Sequence, residues 1–284
     1  MNHEQKKQIK DALVRYAAHY TNAEAVANSM EGISAATVAM VTNYNWDMVS
    51  DAQWALLARH VGFYCGDWKY AETTASLLLR VLLNDAQNYA MVYGVAMAAG
   101  TGKTFCTTQY ARNNNHVLYI TGRSNYNRKT FIAALLQVCG YTDIPESTPD
   151  RLKMAATHIA ALAQPLVIID EAHLLKDRVL HLIVLLAEYL NGQAGLILMG
   201  DSSLRTRIIE GVRLKKPGFD DIYKMTGRRF VTLGNAAPAD IQAVCRANCL
   251  YDEDAIGYIN TQSNGNLHIA TSLITQIVRT GIAA

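Results

Sequence analysis

The chain has 284 residues, of which half are apolar and 18% are charged, and its formal net charge is +2. This composition is typical of a folded protein and excludes an intrinsically disordered one. A net charge so close to zero also excludes binding to nucleic acid through overall charge, so any basic surface has to be local. The length allows one large hydrophobic core or two to three smaller ones.

No apolar run in the sequence approaches the length of a membrane span. The first residues lead into an amphipathic pattern rather than the apolar stretch of a signal peptide. We therefore expect a cytoplasmic protein that makes no contact with a membrane.

Residues 1–65 predict an all-α domain similar to a helix-turn-helix. Apolar residues recur at helical spacing over 9–17 and over about 23–30. Gly32 permits a tight turn, and Ser34 is a suitable N-cap for the next helix. The expected core residues are Ala27, Ile33, Val38 and Val41. The unit could read DNA or, alternatively, form a helical bundle for protein contacts; its short, uncharged second helix would give only modest DNA affinity.

Residues 66–235 predict a wound α/β domain, because apolar strands alternate with helices after a leucine-rich helix. Five parallel strands are expected at 89–95, 117–121, 166–170, 195–199 and 230–233. Helices are expected at 103–112, at 129–138, from 148 to before Pro165, and at 174–191. From residue 236 to residue 284 the pattern is wholly helical and predicts a small C-terminal lid.

A glycine-rich turn joins the first strand of this domain to the next helix, where Gly100-Thr101-Gly102-Lys103-Thr104 is typical of a phosphate-binding loop. Small residues let backbone N–H groups approach phosphate, Lys103 can reach the β and γ phosphates, and Thr104 can hold Mg²⁺. Met97 stands where the usual G-x-x-x-x-G-K-T pattern has its first glycine. The residues expected to contact the nucleotide are Ala98, Ala99, Gly100, Thr101, Gly102, Lys103, Thr104 and Phe105.

The third strand ends in the acidic pair Asp170-Glu171. Asp170 is expected to approach the metal beside Thr104, and Glu171 to activate a water for attack on the γ phosphate. A surface acid pair at a strand end is the alternative. Together with the loop, the pair predicts ATP and Mg²⁺ as cofactors and an ATPase in which Lys103 and Glu171 are catalytic.

Two further polar groups are candidates for catalysis. Asp201 and Ser202 follow the fourth strand and could orient the attacking water, or they could simply cap the next helix. Arg228 and Arg229 directly precede the last strand. Either one could act as an arginine finger on a neighbouring subunit's nucleotide, which predicts a homo-oligomer; a solvated or DNA-facing pair is the alternative.

Basic residues are concentrated in two places. One is the loop after the second strand, and the other is the stretch 203–229, which holds eight Lys or Arg against three acids. Most charge runs are solvated surfaces, but these two favour sequence-independent contact with the backbone of duplex DNA. The residues expected at the DNA are Arg123, Arg128, Lys129, Arg205, Lys215 and Lys216.

The order of these motifs resembles the MuB-like transposition ATPases of the AAA+ class, whose relatives include TnsC and IstB. The resemblance is carried by M-A-A-G-T-G-K-T, L-V-I-I-D-E-A-H, I-L-M-G-D and G-R-R, after a helix-turn-helix-like start. It implies the AAA+ fold and an ATP-dependent protein that assembles into filaments or rings on duplex DNA, marks transposition targets and activates a transposase. His268 lies where many AAA+ proteins have a sensor Arg, which implies at most a weak contact with the nucleotide; the alternative, which we favour, is a residue of the lid helix without such a contact.

Other functions share the same motifs. A helicase-loader type of AAA+ ATPase would have the same core, and a nucleotide-switched DNA-binding regulator would need the nucleotide only to change its shape. A helicase is a further alternative, but we do not expect it, because such helicases need two ATPase-like lobes and the residues after the last strand are too few for a second one.

Overall fold

The computed structural model describes residues 1, 3–18, 20, 22–30, 32–61 and 68–280. It contains two compact units: one comprises Met1–Thr73 and Ala236–Ala284, and the other Thr74–Asn235. The predicted boundary between residues 65 and 66 lies outside the described residues, and the division into three domains stays a prediction. No helix in the described ranges is both long and apolar enough to cross a membrane.

The N-terminal part of the first unit consists of short helices around an apolar cluster. These helices are α1 (His3–Ala17), α2 (Ala23–Asn28), α3 (Ala35–Thr42) and α4 (Asp51–His60). The Ser34 hydroxyl accepts a hydrogen bond from the Thr37 N–H at 3.1 Å, so it caps α3 as expected. The four expected core residues are all buried, together with Trp54 and Leu57.

The second unit contains a five-stranded parallel sheet, as predicted, with the order β2-β3-β4-β1-β5. Its strands are β1 (Val92–Met97), β2 (Val117–Thr121), β3 (Leu166–Asp170), β4 (Gly195–Gly200) and β5 (Phe230–Leu233). The helices are α5 (Thr74–Tyr89), α6 (Lys103–Asn113), α7 (Arg128–Val138), α8 (Thr148–Ala160), α9 (Asp177–Leu190), α10 (Ser202–Arg213) and α11 (Phe219–Met225). Every residue of β3 and β4 is buried, because helices cover both faces of the sheet.

Two predicted boundaries in this unit were wrong for local reasons. The strand expected at 89–95 begins only at Val92, because α5 continues to Tyr89 and Ala90 takes a left-handed conformation with φ +51°. The helix expected at 174–191 begins at Asp177, because Ala172–Leu174 form a separate 3₁₀ turn. That turn places His173 directly after the acidic pair.

The C-terminal part of the first unit is helical, as predicted, and consists of α12 (Pro238–Ala247), α13 (Glu253–Ser263) and α14 (Leu267–Thr280). These helices share an apolar cluster that includes Ile241, Cys245 and Ile259. The Asn248 side chain accepts a hydrogen bond from the Lys69 N–H at 2.9 Å and donates one to the Lys69 carbonyl at 3.0 Å. The segment before α5 is thereby tied to the C-terminal helices.

The topology of the second unit brings the predicted motifs to one edge. In a parallel sheet all strands end on the same side, and here β3, β4 and β1 are neighbours in that order. The glycine-rich turn follows β1, Asp170 ends β3, and Asp201 follows β4. Segments separated by about a hundred residues in the chain therefore meet at one site.

Candidate functional site

The turn between β1 and α6 has the backbone of a phosphate-binding loop. Gly100 and Gly102 have φ values of +78° and +83°, which glycine adopts without strain. The Thr101 side chain is buried, and its hydroxyl donates to the Ala98 carbonyl at 3.0 Å, within the turn. The turn leads directly into the N-terminus of α6, where free N–H groups and the helix dipole favour an anion.

Met97 does not disturb this loop, although it replaces a glycine of the usual pattern. It is the last residue of β1, and its side chain is completely buried in the apolar cluster on one face of the sheet. The side chain therefore packs in the core, away from the path of the phosphates. The replacement of the first glycine of the pattern by Met97 thus leaves the backbone geometry of the turn unchanged.

Lys103 is the first residue of α6 and is buried. Its ammonium group donates to the Met97 carbonyl at 3.0 Å and to the Ala98 carbonyl at 2.9 Å, so its charge lies against the loop. Burial lowers the pKa of Lys103, and the nearby charges of Glu171 and Asp170 oppose that shift. A phosphate bound beside the loop would therefore lie close to the positively charged Lys103 ammonium group.

Asp170 is completely buried and receives three hydrogen bonds. The Thr104 hydroxyl donates to its Oδ2 at 2.9 Å, and the Tyr119 hydroxyl donates to the same oxygen at 2.8 Å. The N–H of Glu171 donates to Oδ1 at 2.8 Å. Three donors on one buried carboxylate satisfy its oxygens and fix its orientation.

Tyr119 was not anticipated from the sequence. It lies on β2 two residues before Thr121, which pairs in register with Asp170, so the two side chains share one face of the sheet. Burial, together with the hydrogen bond and charge of Asp170, raises the pKa of Tyr119, and the hydroxyl therefore remains a donor. The parallel register would have revealed this contact if it had been known.

The groups at this edge fit Mg²⁺ with a nucleotide. Mg²⁺ is usually held by one or two protein oxygens together with phosphates and waters, rather than by a closed protein cage. The Thr104 hydroxyl and the Asp170 carboxylate supply such oxygens beside the loop. Within the described ranges, no group of three or more His, Cys, Asp or Glu could hold a metal ion.

The backbone at Glu171 is constrained from both sides. Glu171 takes a left-handed conformation with φ +51°, which costs free energy for a residue other than glycine. Gly122, just after β2, donates its N–H to the Asp170 carbonyl at 2.7 Å. A Cβ on Gly122 would lie 2.6 Å from the Glu171 carbonyl oxygen, so only glycine fits here. Gly122 is a second residue that sequence reasoning missed.

Asp201 is the N-cap of α10, as one of the two interpretations expected. Its Oδ1 accepts from the Ser203 N–H at 2.9 Å, and Ser202 is the exposed first residue of the helix. Desolvation opposes ionisation of Asp201, but hydrogen bonds from Ser203 and the nearby His173 hold its pKa below the ordinary value. A role of Asp201 or Ser202 in orienting water stays a prediction.

His173 lies between two carboxylates. Its Nε2 is 3.5 Å from Oε2 of Glu171 and 3.7 Å from Oδ2 of Asp201. The three side chains therefore form a cluster at the adjacent ends of β3 and β4. The two acids were predicted site residues, whereas His173 was not.

The two candidate finger residues differ in their surroundings. Arg228 has φ +57° and its guanidinium lies 3.5 Å from the Asp220 carboxylate. Arg229 is exposed and forms no ion pair with any residue that the structure describes. The pairing of Arg228 leaves Arg229 as the better candidate for a partner outside the chain.

The six predicted DNA contacts are all exposed: Arg123, Arg128, Lys129, Arg205, Lys215 and Lys216. The guanidinium of Arg123 lies 5.9 Å from the centre of the Tyr126 ring. Three other basic residues of the stretch 203–229 pair with carboxylates of the same chain, namely Arg207, Lys224 and Arg228. Lys224, for example, lies 2.6 Å from an oxygen of Asp220.

Arg207 has a structural role. Its guanidinium donates to the carbonyls of His173 at 3.3 Å and of Leu175 at 2.7 Å, and it pairs with the Asp177 carboxylate. It thereby ties α10 to the turn that carries His173. The local excess of positive charge is accordingly smaller than the sequence indicates.

The remaining predicted nucleotide contacts are at the loop or in the other unit. Ala98 and Ala99 belong to the turn, and Phe105 is exposed in the first turn of α6. His268 is exposed in the first turn of α14, within the first unit. Its contact with the nucleotide stays a prediction.

Two solved structures are similar to part of this chain. A DNA replication initiation factor is matched at 12% identity and a TM-score of 0.46, over 71% of this chain and 60% of that one. Drosophila ORC bound to DNA is matched at 13% identity and a TM-score of 0.48, over 84% of this chain and 63% of that one. The chain thus spans less than two thirds of the length of these structures.

A search of the curated proteins finds no significant match. The family model of an AAA domain matches residues 85–208, a range that contains the loop, the acidic pair and Asp201. The parallel sheet, its strand order and the position of the loop after β1 agree with that match. Residues 85–208 of this chain are therefore similar to an AAA domain, and the second unit has the α/β fold of that class.

Proposed function

We propose that this protein is a Mg²⁺-dependent ATPase whose nucleotide state controls its binding to duplex DNA. One observation carries the proposal of hydrolysis. The Thr104 hydroxyl and the Asp170 carboxylate meet at 2.9 Å beside the phosphate loop, and the next residue is a glutamate whose backbone is held in one conformation. This combination supplies metal oxygens and a base at one place.

Each residue of the site has a defined task in this proposal. Bound Mg²⁺, held through Thr104 and Asp170, would neutralise charge that develops on the phosphates. The Lys103 ammonium group is already held at the loop, so it provides a positive charge there without a conformational change. Glu171 accepts a proton from the attacking water.

Association with DNA is supported by exposed cations of the same unit. Arg123, Arg128 and Lys129 lie together between β2 and the first turn of α7. Such side chains contact phosphates independently of base sequence. Helix α3, by contrast, contains neither Lys nor Arg, so it would add little attraction to phosphate.

The motif order of the sequence favours an MuB-like role within this class. In that role the protein forms filaments or rings on duplex DNA, marks transposition targets and activates a transposase. The AAA match supports only the shared class, which also includes ATPases that load helicases and nucleotide-switched regulators. These roles use the same phosphate loop and differ in the protein partner.

Electron microscopy and binding assays with duplex DNA test the proposal, using ATP, ADP or no nucleotide. We expect DNA-bound assemblies with ATP only. Lys103→Ala should lose ATP-dependent DNA binding, and Glu171→Gln should bind ATP and give longer-lived complexes. Lys153→Ala, which changes an exposed lysine of α8, is the matched control and should behave like the wild type. Equal DNA binding with and without ATP would contradict the proposal.

Partner assays then separate the three roles. ATP-dependent stimulation of a transposase on target DNA supports the MuB-like role. Deposition of a replicative helicase onto DNA, without such stimulation, supports a loader. Slow ATP turnover that neither DNA nor protein concentration changes supports the regulator.

A further inference from the structure

We propose that His173 is a positioning residue for hydrolysis, which orients the Glu171 carboxylate and joins it to Asp201. This inference rests on the proposed ATPase function and deepens it. The observation behind it is the place of Nε2, 3.5 Å from Glu171 Oε2 and 3.7 Å from Asp201 Oδ2. A single imidazole nitrogen thus faces the base of the site and the carboxylate of the neighbouring strand end.

The surroundings of His173 favour one of its two nitrogens as the position of the proton. Nδ1 is buried and has no hydrogen-bond partner among the described residues, whereas Nε2 faces two carboxylates. A neutral imidazole has one N–H, and that N–H is most favourable on the nitrogen that faces acceptors. With its proton on Nε2, His173 presents an N–H to the side on which both acids lie.

The backbone beneath His173 is held firmly. Arg207 donates to the His173 carbonyl, and the Leu174 N–H donates to the Glu171 carbonyl at 3.0 Å. The Glu171 N–H is in turn bound to Asp170. Because both ends of the contact are fixed by the backbone, the imidazole can determine the direction of the Glu171 side chain.

Asp201 gains a role through this contact. A carboxylate beside the γ phosphate would be repelled by it, which makes direct sensing by Asp201 unfavourable. Its Oδ1 is already used for capping α10, and its Oδ2 faces His173. The chain of contacts Asp201, His173, Glu171 lets the end of β4 act on the base without touching phosphate.

The test compares His173→Ala and His173→Gln with the wild type, in the full-length protein with DNA, Mg²⁺ and ATP at fixed pH. We expect His173→Ala to lower kcat by about tenfold to a hundredfold, because a misdirected base is costly. The dissociation constant of a fluorescent ATP analogue should stay unchanged. The glutamine variant, whose amide can donate, should recover part of kcat, and added imidazole should partly restore His173→Ala. His158→Ala, on α8, is the control and should turn over like the wild type.

A double variant distinguishes positioning from general damage. Asp201→Asn should lower kcat, and in the His173→Ala background it should lower kcat no further, because both changes break one chain of contacts. Additive losses, a kcat for His173→Ala and His173→Gln within twofold of the wild type, or a loss confined to nucleotide affinity would overturn the inference. Absence of turnover in the wild type would instead overturn the proposed ATPase function.

Discussion

At the scale of single residues, the site depends on contacts between strands as much as on its motifs. Lys103, Thr104 and Asp170 could be predicted because each stands inside a short pattern with a physical reason. Tyr119 and Gly122 could not, because their contacts depend on the parallel register of β2 and β3. Tyr119 donates a hydrogen bond to Asp170, which is 51 positions away in the chain, and no local sequence pattern predicts such a contact.

Replacing Tyr119 by Phe should weaken the response to Mg²⁺. The change removes one of three donors from Asp170 while keeping the ring that packs on the sheet. Loss of such an outer-shell hydrogen bond typically costs about tenfold or more in metal affinity. We expect the Mg²⁺ concentration for half-maximal binding of a fluorescent ATP analogue to rise by about that factor. Tyr189→Phe, at an exposed position on α9, is the control, and an unchanged Mg²⁺ requirement would contradict the role of Tyr119.

At the scale of elements, the start of α7 is unusual in its charge. Arg128 and Lys129 occupy its first turn, where the positive end of the helix dipole disfavours cations. The helix begins there because Asn127 and Thr130 form a capping box, which offsets the unfavourable charge. Exposed cations placed where they weaken the helix favour a function in binding an anion over a function in stability.

Neutralising this turn should change the salt dependence of DNA binding. In the double variant Arg128→Gln with Lys129→Gln, we expect the affinity for DNA to fall for all base sequences alike. The plot of log K for DNA binding against the logarithm of the salt concentration should become less steep, by roughly 0.9 per lost phosphate contact. Binding titrations over a range of salt concentrations measure the slope. Lys153→Ala should leave it unchanged. A double variant with the wild-type slope would show that α7 does not contact DNA.

Elements were predictable where they are regular and apolar. β2, β3 and β5 have the predicted bounds, because buried strands with clear ends leave little choice. β1 and α9 were misplaced by a left-handed residue and a 3₁₀ turn, which only the folded backbone shows. The C-terminal helices could be predicted as helices. That they form one compact unit with Met1–Thr73 could not be predicted, because it depends on contacts such as the hydrogen bond from Asn248 to Lys69.

At the scale of the whole molecule, we expect the exposed Arg229 to act on the nucleotide of a second copy of the chain. Arg228 is engaged with Asp220, so the two arginines should differ in effect. We expect Arg229→Ala to lower turnover by about a thousandfold, and Arg228→Ala to lower it much less. Steady-state ATPase assays at several protein concentrations make this comparison.

Mixing two inactive variants tests whether the arginine acts between subunits. Lys103→Ala keeps Arg229, and Arg229→Ala keeps an intact phosphate loop. Mixed assemblies therefore contain some complete interfaces, and we expect the mixture to regain part of the wild-type turnover. A mixture as inactive as either variant alone would show that Arg229 acts within its own subunit or not at all.

The close approach of Gly122 to Glu171 has a consequence for how this site can vary. A side chain at residue 122 would push on the Glu171 carbonyl and redirect the base, while the loop at 98–104 and its lysine are held by other contacts. In the proposed mechanism, the segment that binds the nucleotide is thus the loop at 98–104, whereas the segments that position the catalytic base are those around Gly122 and Glu171. We expect Gly122→Ala, which adds a single methyl group directly after β2, to leave binding of ATP little changed and to slow its hydrolysis.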